Sequence, residues 1–511
     1  MKQESLFPSE TDSEGMHLLA HRLREENQHL KDENTWLREQ LNALKRGQFG
    51  TKSERWETEE QMLLFNEAEL ESRNPDEDQD EDNTVEVKGH KKSRGHRRPL
   101  PTNLPREVVK VELPEGERKA EDGTVLKVIG WEISEKLKYE PAKVSVIEYH
   151  RAKYGVESGD YIKTAPPVAS IIPKGIATPE LLAAIMVGKY ADGLPLYRME
   201  SMFARHDIDL SRGTMARWVV QTAHALKPIW NVLSERLLES FYVACDETSV
   251  QVLKENGRKA ESKSWMWVRS TPGDDRKVVL FDYSVSRGSE VAKELFAGFR
   301  GYLQSDGLAS YNCLESKEVL KLGCNMHGRR RFESAAKDGA QSGKSLASVG
   351  LRFYRRIYDL EEELKGKSPD EKKQARDEIA RPIFEEMRSW AQSHRKKVPD
   401  KSKIGQAFEY FLNEYEYLIG YLHDGRLNPD NGFTERAIRK FAIGRNNWMF
   451  SDTTDGADAS ALLYSLVVTA KVNGINCYRA LTKILTEIPQ AKTIEDYERL
   501  AELILTPESK P

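Results

Sequence analysis

The most constraining feature of the sequence is a succession of short apolar runs, two of which end on an aspartate. Runs of about four to eight β-branched and aromatic residues bounded by turn signals are typical of β-strands. Five strand-like runs occupy residues 242–245, 265–268, 278–281, 301–305 and 319–324, and a helix-like segment at 289–299 separates the third from the fourth. Asp246 follows the first run, which continues at residues 250–253, and Asp306 follows the fourth. The series predicts one sheet with an acidic side chain at the end of two of its strands.

The order of these elements is three antiparallel strands, a helix, a strand, a helix and a strand, which is the order of the ribonuclease-H-like fold. In that fold, carboxylates on the first strand and at the end of the fourth lie side by side, and Asp246 and Asp306 occupy those places. Glu247 is adjacent to Asp246, but successive side chains of a strand point to opposite faces, so Glu247 is not selected. The sequence therefore predicts an α+β multidomain chain whose core begins at residues 240–332.

A third carboxylate is expected from a helix that follows a long insertion. Residues 333–430 are dense in charged helix formers and predict an all-helical insertion. Asn-Pro and Asn-Gly pairs between 427 and 432 break regular structure, and a helix with an apolar face starts at Phe433. Glu435 in its first turn is the predicted third acid, within a segment at 431–475 that completes the core. Residues 476–511 predict a helical tail. Taken singly, each acid would be an ordinary surface carboxylate.

Sequence motifs occur in a recognisable order along almost the whole chain. They read DET at 246–248, QSDG at 304–307, GCNMH at 323–327, RRRF at 329–332, NGFTERAIR at 431–439, GRNNWMF at 444–450, YSL at 464–466 and AKVNG at 470–474, with FGTKSE at 49–54 and RRPLP at 97–101. Together they resemble the transposases of the insertion sequence 66 family. The resemblance implies a DDE transposase that binds the terminal repeats of its insertion sequence and catalyses metal-dependent DNA cleavage and strand transfer.

The three acids also suit that chemistry in their own right. Asp246, Asp306 and Glu435 are expected to hold two Mg²⁺ ions, with Mn²⁺ as an alternative, because hard carboxylate oxygens suit these cations. One ion would activate water and later a 3′-hydroxyl, and the other would stabilise the leaving oxygen. Members of the family usually carry paired Cys-x-x-Cys motifs in the small module that precedes the helix-turn-helix. This chain has no cysteine before Cys245, so we expect no zinc to bind by that route.

The N-terminal residues 17–46 have the pattern of a leucine zipper. Leu23, Leu30, Leu37 and Leu44 recur every seven residues. Asn27 and Asn34 lie at the other core position, where paired asparagines favour parallel dimers in register. We expect a homodimer, with higher order left open. The alternative is a single amphipathic helix that packs on its own protein.

The charge of the chain is segregated into blocks. Residues 57–88 hold 13 acidic and two basic side chains, net −11, so the rest of the chain carries +7 against an overall −4. A basic arm follows directly, and residues 56–98 are interpreted as an acidic linker joined to this arm. Its Lys/Arg side chains are expected to contact DNA phosphates, since such clusters displace counterions from nucleic acid. They are Lys91, Lys92, Arg94, Arg97 and Arg98.

Two further regions separate the arm from the core. Residues 99–175 contain short β-type runs and predict a small β-rich module that resembles a zinc-binding one but lacks its cysteines. Residues 176–230 predict three helices, with Thr178 and Ser211 as N-caps. The last two helices are similar to a helix-turn-helix, so Arg212 and Arg217 are candidates for DNA contact. Trihelical packing without DNA contact is the alternative.

Other side chains near the predicted acids are further candidates. Arg329, Arg330, Arg439 and Arg445 are expected to bind DNA, although Arg439 could instead form an ion pair with Glu435 one turn earlier. Cys324, His327 and Trp448 are candidates for the edge of the active site. A Cys-x-x-His element is similar to one in other DDE transposases with helical insertions, but two ligands alone do not make a zinc site. The alternatives are a buried cysteine, a structural histidine and a tryptophan in the core.

The sequence also predicts where the protein works and with what. No apolar run approaches the roughly 20 residues of a membrane helix, and no secretory signal is recognised, so we expect no membrane partner and a cytoplasmic, nucleoid-associated bacterial protein. The expected partners are double-stranded DNA, both terminal repeats and target, and accessory proteins of the same element. Two other functions stay open: a catalytically silent DNA-binding or accessory protein, and a structure-specific nuclease of the same fold.

Overall fold

The computed structural model describes residues 144–150, 153–155, 162–164, 168–173, 175–338 and 345–507. The predicted zipper, acidic linker and basic arm, including Lys91, Lys92, Arg94, Arg97 and Arg98, lie outside the described residues, as does most of the predicted β-rich module. Within that module, strands β1 (Lys153–Gly155) and β2 (Ile162–Thr164) pair antiparallel.

Three helices precede the main sheet: α1 (Pro179–Tyr190), α2 (Leu196–Ala204) and α3 (Arg212–Leu238). Both predicted N-caps are confirmed, since Thr178 accepts from the Leu181 amide and Ser211 from the Thr214 amide. Helix α3 continues past residue 230, and its buried side chains belong to the same apolar core as the strands. The helix-turn-helix-like region and the sheet are therefore joined by one continuous helix.

The main sheet combines antiparallel and parallel pairs. Strands β3 (Tyr242–Lys254), β4 (Lys263–Ser270) and β5 (Val279–Ser284) are antiparallel neighbours, and β6 (Gly301–Gln304) and β7 (Val319–Leu322) run parallel to β3 on its other side. The spatial order is β5-β4-β3-β6-β7. Helix α4 (Ser289–Leu295) connects β5 to β6, and a 3₁₀ turn (Ala309–Leu314) lies between β6 and β7. This strand order places β3 and β6 side by side at the centre of the sheet.

Every regular element described between β7 and residue 430 is helical. The segment begins with α5 (Asn325–Asp338) and continues with α6 (Leu346–Glu363), α7 (Pro369–Ala375), a π turn (Arg376–Ala380), α8 (Arg381–Arg395), α9 (Lys403–Asn413), α10 (Tyr415–Ile419) and a 3₁₀ turn (Gly420–His423). These helices enclose a second apolar core, which includes Phe332, Phe384 and Phe408. A second core gives the insertion its own stabilising interior.

The chain then returns to the sheet through α11 (Gly432–Trp448), strand β8 (Ser451–Thr453), which pairs with the end of β3, and helices α12 (Thr454–Val472), α13 (Cys477–Glu487) and α14 (Ile494–Leu505). Helix α12 covers the edge strand β5: Thr469 Oγ1 accepts from the Val279 amide at 3.0 Å, and Ser465 Oγ from the Phe281 amide at 2.8 Å. These backbone amides of the edge strand are thus hydrogen-bonded within the molecule. None of the helices in the described part of the chain combines the length and apolarity that a bilayer span requires.

Candidate active site

Two of the three predicted acids lie where strand β6 ends, at one edge of the parallel part of the sheet. The parallel register of β3 and β6 pairs Ala244 with Gln304, and Asp246 and Asp306 each follow two residues after this pair. Asp246 Oδ1 accepts from the Glu247 amide at 2.9 Å, and Asp306 Oδ1 accepts from the Leu308 amide at 3.0 Å. The first bond orients a carboxyl within a strand, and the second fixes the turn after β6. Asp306 thus follows the end of β6, whereas Asp246, which the sequence placed after its strand, lies within the longer β3, at the level where β6 ends.

Glu435 reaches this edge because the start of α11 is attached to the sheet. Asn431, the residue before α11, donates from Nδ2 to the Cys245 carbonyl at 2.9 Å, and Thr434 Oγ1 lies 2.8 Å from Ser270 Oγ on β4. Both groups are buried. A helix whose first turn is bonded to β3 and β4 carries Glu435 directly over the strand that holds Asp246.

The pKa of Asp246 is shifted by burial and by the neighbouring acids. Burial, together with the negative charges of Glu247, Asp306 and Glu435, raises the pKa of Asp246 to about 8. Burial and like charges both disfavour the ionised form of a carboxyl. The negative charge of the site is therefore not fully neutralised by the surrounding protein groups. A bound cation would neutralise it.

Glu247 takes part in a different set of contacts, as the alternation of the strand predicts. Its Oε2 accepts from the Tyr311 hydroxyl at 2.7 Å, and its Oε1 lies 3.9 Å from Arg287 Nη1. The side chain is only 4% exposed. Burial raises the pKa of Glu247, with a further contribution from the charge of Asp306. Glu247 thus has protein partners of its own, although it adds to the negative field at Asp246.

Helix α5 brings cationic and soft side chains to Glu435. Arg330 Nη2 donates to Glu435 Oε2 at 2.5 Å, and His327 Nδ1 lies 3.7 Å from Glu435 Oε1. One donor atom each from Cys324, His327 and Glu435 lie within 4.8 Å of one another. His327 Nδ1 and Glu435 Oε1 are buried without a hydrogen-bond partner. Sequence spacing identifies the Cys-x-x-His pair but not its third member, because Glu435 lies beyond the whole insertion.

Glu414 is an acidic residue near the site that the sequence did not single out. It follows α9, and its carboxyl lies next to Gly307 and hence beside Asp306. Burial raises the pKa of Glu414, and the charge of Asp306 adds to the effect. Its Oε2 is buried without a hydrogen-bond partner. No motif marks Glu414, since it is one acid among many in the charged helices of the insertion.

The remaining candidates occupy three different environments. Arg212 and Arg217 are exposed at the start of α3, away from the acids along the chain, and Arg439 is exposed one turn after Glu435 on α11. Arg329 is half-buried, with its guanidinium 2.9 Å from Glu333 and over the Tyr358 ring. Their positions make them surface or near-surface cations in the N-terminal halves of three helices.

Arg445 and Trp448, by contrast, are engaged inside the protein. Arg445 Nη1 donates to the Ser249 carbonyl on β3, and burial lowers the pKa of its guanidinium. Trp448 packs edge-on against Phe441, with ring centroids 5.5 Å apart, and Lys189 Nζ lies 5.4 Å from its ring centroid. Through these contacts, Arg445 attaches α11 to the sheet and Trp448 attaches it to α1.

The donor set fits divalent cations. Asp306 in the turn after β6 and Glu435 on α11 lie near enough to Asp246 on β3 for their charges to raise its pKa, and Glu435 offers a buried oxygen with no hydrogen-bond partner. Oxygen-only ligands with open positions are what Mg²⁺ and Mn²⁺ prefer. Arginines on α5 border the site, as the binding of a phosphodiester backbone requires. A site of this composition is the kind that metal-dependent enzymes acting on nucleic acids use.

Comparisons with known proteins give the family. Residues 174–459 match the family model described as "Transposase IS66 family", residues 36–109 match "Transposase C of IS166 homeodomain", and residues 465–501 match "IS66 C-terminal element". The chain therefore belongs to the IS66 family of transposases, as its motifs predicted. Membership implies DNA binding, DNA recombination and dependence on a divalent metal ion.

Similar proteins from Sinorhizobium fredii (strain NBRC 101917 / NGR234) extend along most of the chain. "Uncharacterized protein y4qI" is 32% identical over 478 residues, which cover 90% of this chain and 87% of that protein. "Uncharacterized protein y4hP" is 28% identical over 437 residues, with 82% and 78% covered. The likeness is therefore one of whole chains and not of a single shared segment.

Proposed function

We propose that this protein cuts and joins DNA at the ends of its own insertion sequence, with Asp246, Asp306 and Glu435 as the catalytic carboxylates. The observation that carries the proposal is that Asp306 and Glu435, from two other segments, lie near enough to Asp246 on β3 for their charges to raise its pKa. In the same proposal the catalytic domain is ribonuclease-H-like, since its strand order β5-β4-β3-β6-β7 has three antiparallel and two parallel members. Carboxylates of strands β3 and β6 then occupy the expected neighbouring positions.

Asp246, Asp306 and Glu435 are the residues that would hold the metal, two Mg²⁺ ions or alternatively Mn²⁺. When bound, such ions supply an activated water or 3′-hydroxyl and stabilise the leaving oxygen. The protein's own part is to fix the carboxylates, through the Asp306–Leu308 turn and the Asn431 anchor of α11. Arg330 holds one oxygen of Glu435 and leaves the other facing inward. This arrangement sets the orientation of Glu435 before DNA arrives.

Basic residues in several segments would bind the DNA. Arg329, Arg330 and Arg439 lie close to the acids in the fold or sequence and suit the scissile strand, whereas Arg212 and Arg217 at the start of α3 suit the terminal repeat. The basic arm would add phosphate contacts, and the zipper would pair two chains so that two ends are held together. Arg445 would instead stabilise the site, because its guanidinium donates a hydrogen bond to the backbone of β3.

The test is a Mg²⁺-dependent cleavage and strand-transfer assay on DNA with the element's terminal repeats. Wild type is compared with Asp306→Asn and with a matched control, Asp452→Asn, whose side chain is 58% exposed on β8. Loss of a metal-binding carboxylate removes several kcal/mol of transition-state stabilisation, so we expect Asp306→Asn to lose about 10³-fold or more in rate. DNA affinity, measured in parallel, should stay within about threefold for both variants.

The outcomes separate the alternatives. Cutting and joining by wild type and Asp452→Asn, with neither by Asp306→Asn, supports the proposal. Cleavage without joining would identify a nuclease. Equal DNA binding by all three proteins with no cleavage, even with the neighbouring gene products of the element supplied, would identify a catalytically silent DNA-binding protein.

A further inference from the structure

The Cys-x-x-His pair and Glu435 together form a cluster that the catalytic role of the carboxylates does not explain. Cys324 immediately precedes α5, and His327 lies in the first turn of that helix. Side chains at these two helix positions approach each other, as they do in a capping box. Glu435 enters from the first turn of α11. Two helix starts therefore deliver sulfur, nitrogen and oxygen ligands to one place.

The polar atoms of this cluster lack the partners that buried groups normally have. His327 Nδ1 and Glu435 Oε1 lie 3.7 Å apart, and neither makes a hydrogen bond. Cys324 Sγ accepts from the Asn431 amide at 3.3 Å, and Cys324 is fully buried. Leaving two buried polar atoms unpaired costs about 1–3 kcal/mol each. A bound ion would satisfy both atoms at once.

We propose that Cys324, His327 and Glu435 form a Zn²⁺ site that shares Glu435 with the catalytic carboxylates, so that zinc inhibits the enzyme. Sulfur, imidazole nitrogen and carboxylate oxygen are ligands of zinc, whereas Mg²⁺ avoids thiolate. A tetrahedral ion at about 2.0–2.3 Å from each ligand needs donor atoms roughly 3.3–3.8 Å apart. The present spacing of up to 4.8 Å reaches this geometry with side-chain shifts of about 1 Å.

The site differs from the zinc route that the sequence excluded. That route needed paired Cys-x-x-Cys motifs before the helix-turn-helix, and no such cysteines exist in the chain. Here a single thiol, a histidine and a carboxylate provide three ligands and leave a fourth position for water, the arrangement of an open zinc site. Because zinc would draw one oxygen of Glu435 to the Cys324 side, the acid would be removed from the Asp246 and Asp306 cluster. The inhibitory part rests on the proposed function, but the binding part does not.

Binding is tested on the full chain with Co²⁺ as a spectroscopic substitute for Zn²⁺. We expect one equivalent of Co²⁺ to give the visible bands of a tetrahedral ion and a thiolate-to-cobalt charge-transfer band, both displaced by Zn²⁺. Cys324→Ser should lose the charge-transfer band, and His327→Gln should weaken Co²⁺ binding by about tenfold or more. Cys313→Ser, at an exposed cysteine, is the matched control and should keep the wild-type spectrum. His327→Gln also keeps the test decisive if Cys324→Ser does not fold.

Inhibition is then measured by adding Zn²⁺ to the Mg²⁺-dependent strand-transfer assay. The Zn²⁺ concentration for half inhibition should rise about tenfold or more in Cys324→Ser relative to its own zinc-free rate. The zinc site would be overturned if wild type showed no thiolate-to-cobalt band, or if Cys324→Ser kept that band. Either result would count against the site even if strand transfer occurs. Conversely, a Cys324-dependent band in a protein that never joins DNA would leave the zinc site standing and reject the proposed function.

Discussion

Asp246 and Glu247 are adjacent acids that the fold separates into two roles. Asp246 lies with Asp306 and Glu435, while Glu247 is held by Tyr311 and Arg287. The alternation of a β-strand was enough to predict this separation from the sequence. The partner of Glu247 was not predictable in the same way, because Tyr311 comes from a 3₁₀ turn that no local pattern indicated.

The raised pKa of Asp246 predicts how the stability of the metal-free protein depends on pH. Between its ordinary value of 3.8 and about 8, the folded state holds a proton that the unfolded state has released. Stability should therefore fall as pH rises through this range, by at most about 6 kcal/mol at ~1.4 kcal/mol per pKa unit. Asp246→Asn mimics the protonated acid and should be more stable than wild type at pH 8 and equally stable at pH 4.

Thermal unfolding at several pH values, in the presence of a chelator, measures this effect. Asp452→Asn serves as the control, since its exposed side chain should leave the wild-type slope unchanged. A difference between wild type and Asp246→Asn that does not grow between pH 4 and pH 8 would contradict the account of a strained carboxylate cluster.

At the scale of elements, helices α5 and α6 approach closely through a pair of glycines. Gly328 on α5 lies against Tyr354 on α6, and Gly350 on α6 lies against Phe332 on α5. A side chain at either glycine would separate the helices. This packing matters for the site because His327 and Arg330 lie on the same turns of α5 as Gly328.

Gly350→Ala should therefore destabilise the protein. The added Cβ would lie within 2.9 Å of three ring atoms of Phe332. We expect a loss of about 1–3 kcal/mol from overpacking, although alanine normally favours a helix by ~1 kcal/mol over glycine. Gly213→Ala, where nothing lies within 4 Å of the added atom, should be neutral or stabilising. The urea midpoints of unfolding are measured for both glycine-to-alanine variants. Equal shifts of the two midpoints from wild type would contradict the close packing of α5 and α6.

The elements also show what the sequence could and could not reveal. Short apolar runs predicted where the strands begin, but β3 continues through the polar residues 246–249 to Lys254, because its pairing with β4 extends beyond the buried run. The last of the three helices predicted within residues 176–230 is α3, which contains Pro228, a residue that normally interrupts a helix. The structure continues it to Leu238, where Leu226, Ile229 and Leu233 are fully buried. Tertiary packing thus outweighs the local signal of the proline.

At the scale of the whole molecule, the site is assembled from distant segments. Asp246 and Asp306 belong to one run of strands, but Glu435 returns only after an insertion with its own core. The identity of Glu435 could be predicted from its motif. Its contact with Cys324 and His327 could not, because that contact depends on how the insertion brings α5 and α11 together.

The central claim is that Glu435 completes a catalytic triad of acids, and one comparison tests it most directly. Strand transfer with Mg²⁺ is measured for wild type, Glu435→Gln and the control Glu386→Gln, an exposed glutamate in an ion pair with Arg356. The account predicts that Glu435→Gln loses about 10³-fold or more while DNA affinity stays within about threefold, and that Glu386→Gln matches wild type. Strand transfer by Glu435→Gln within about tenfold of wild type would contradict it.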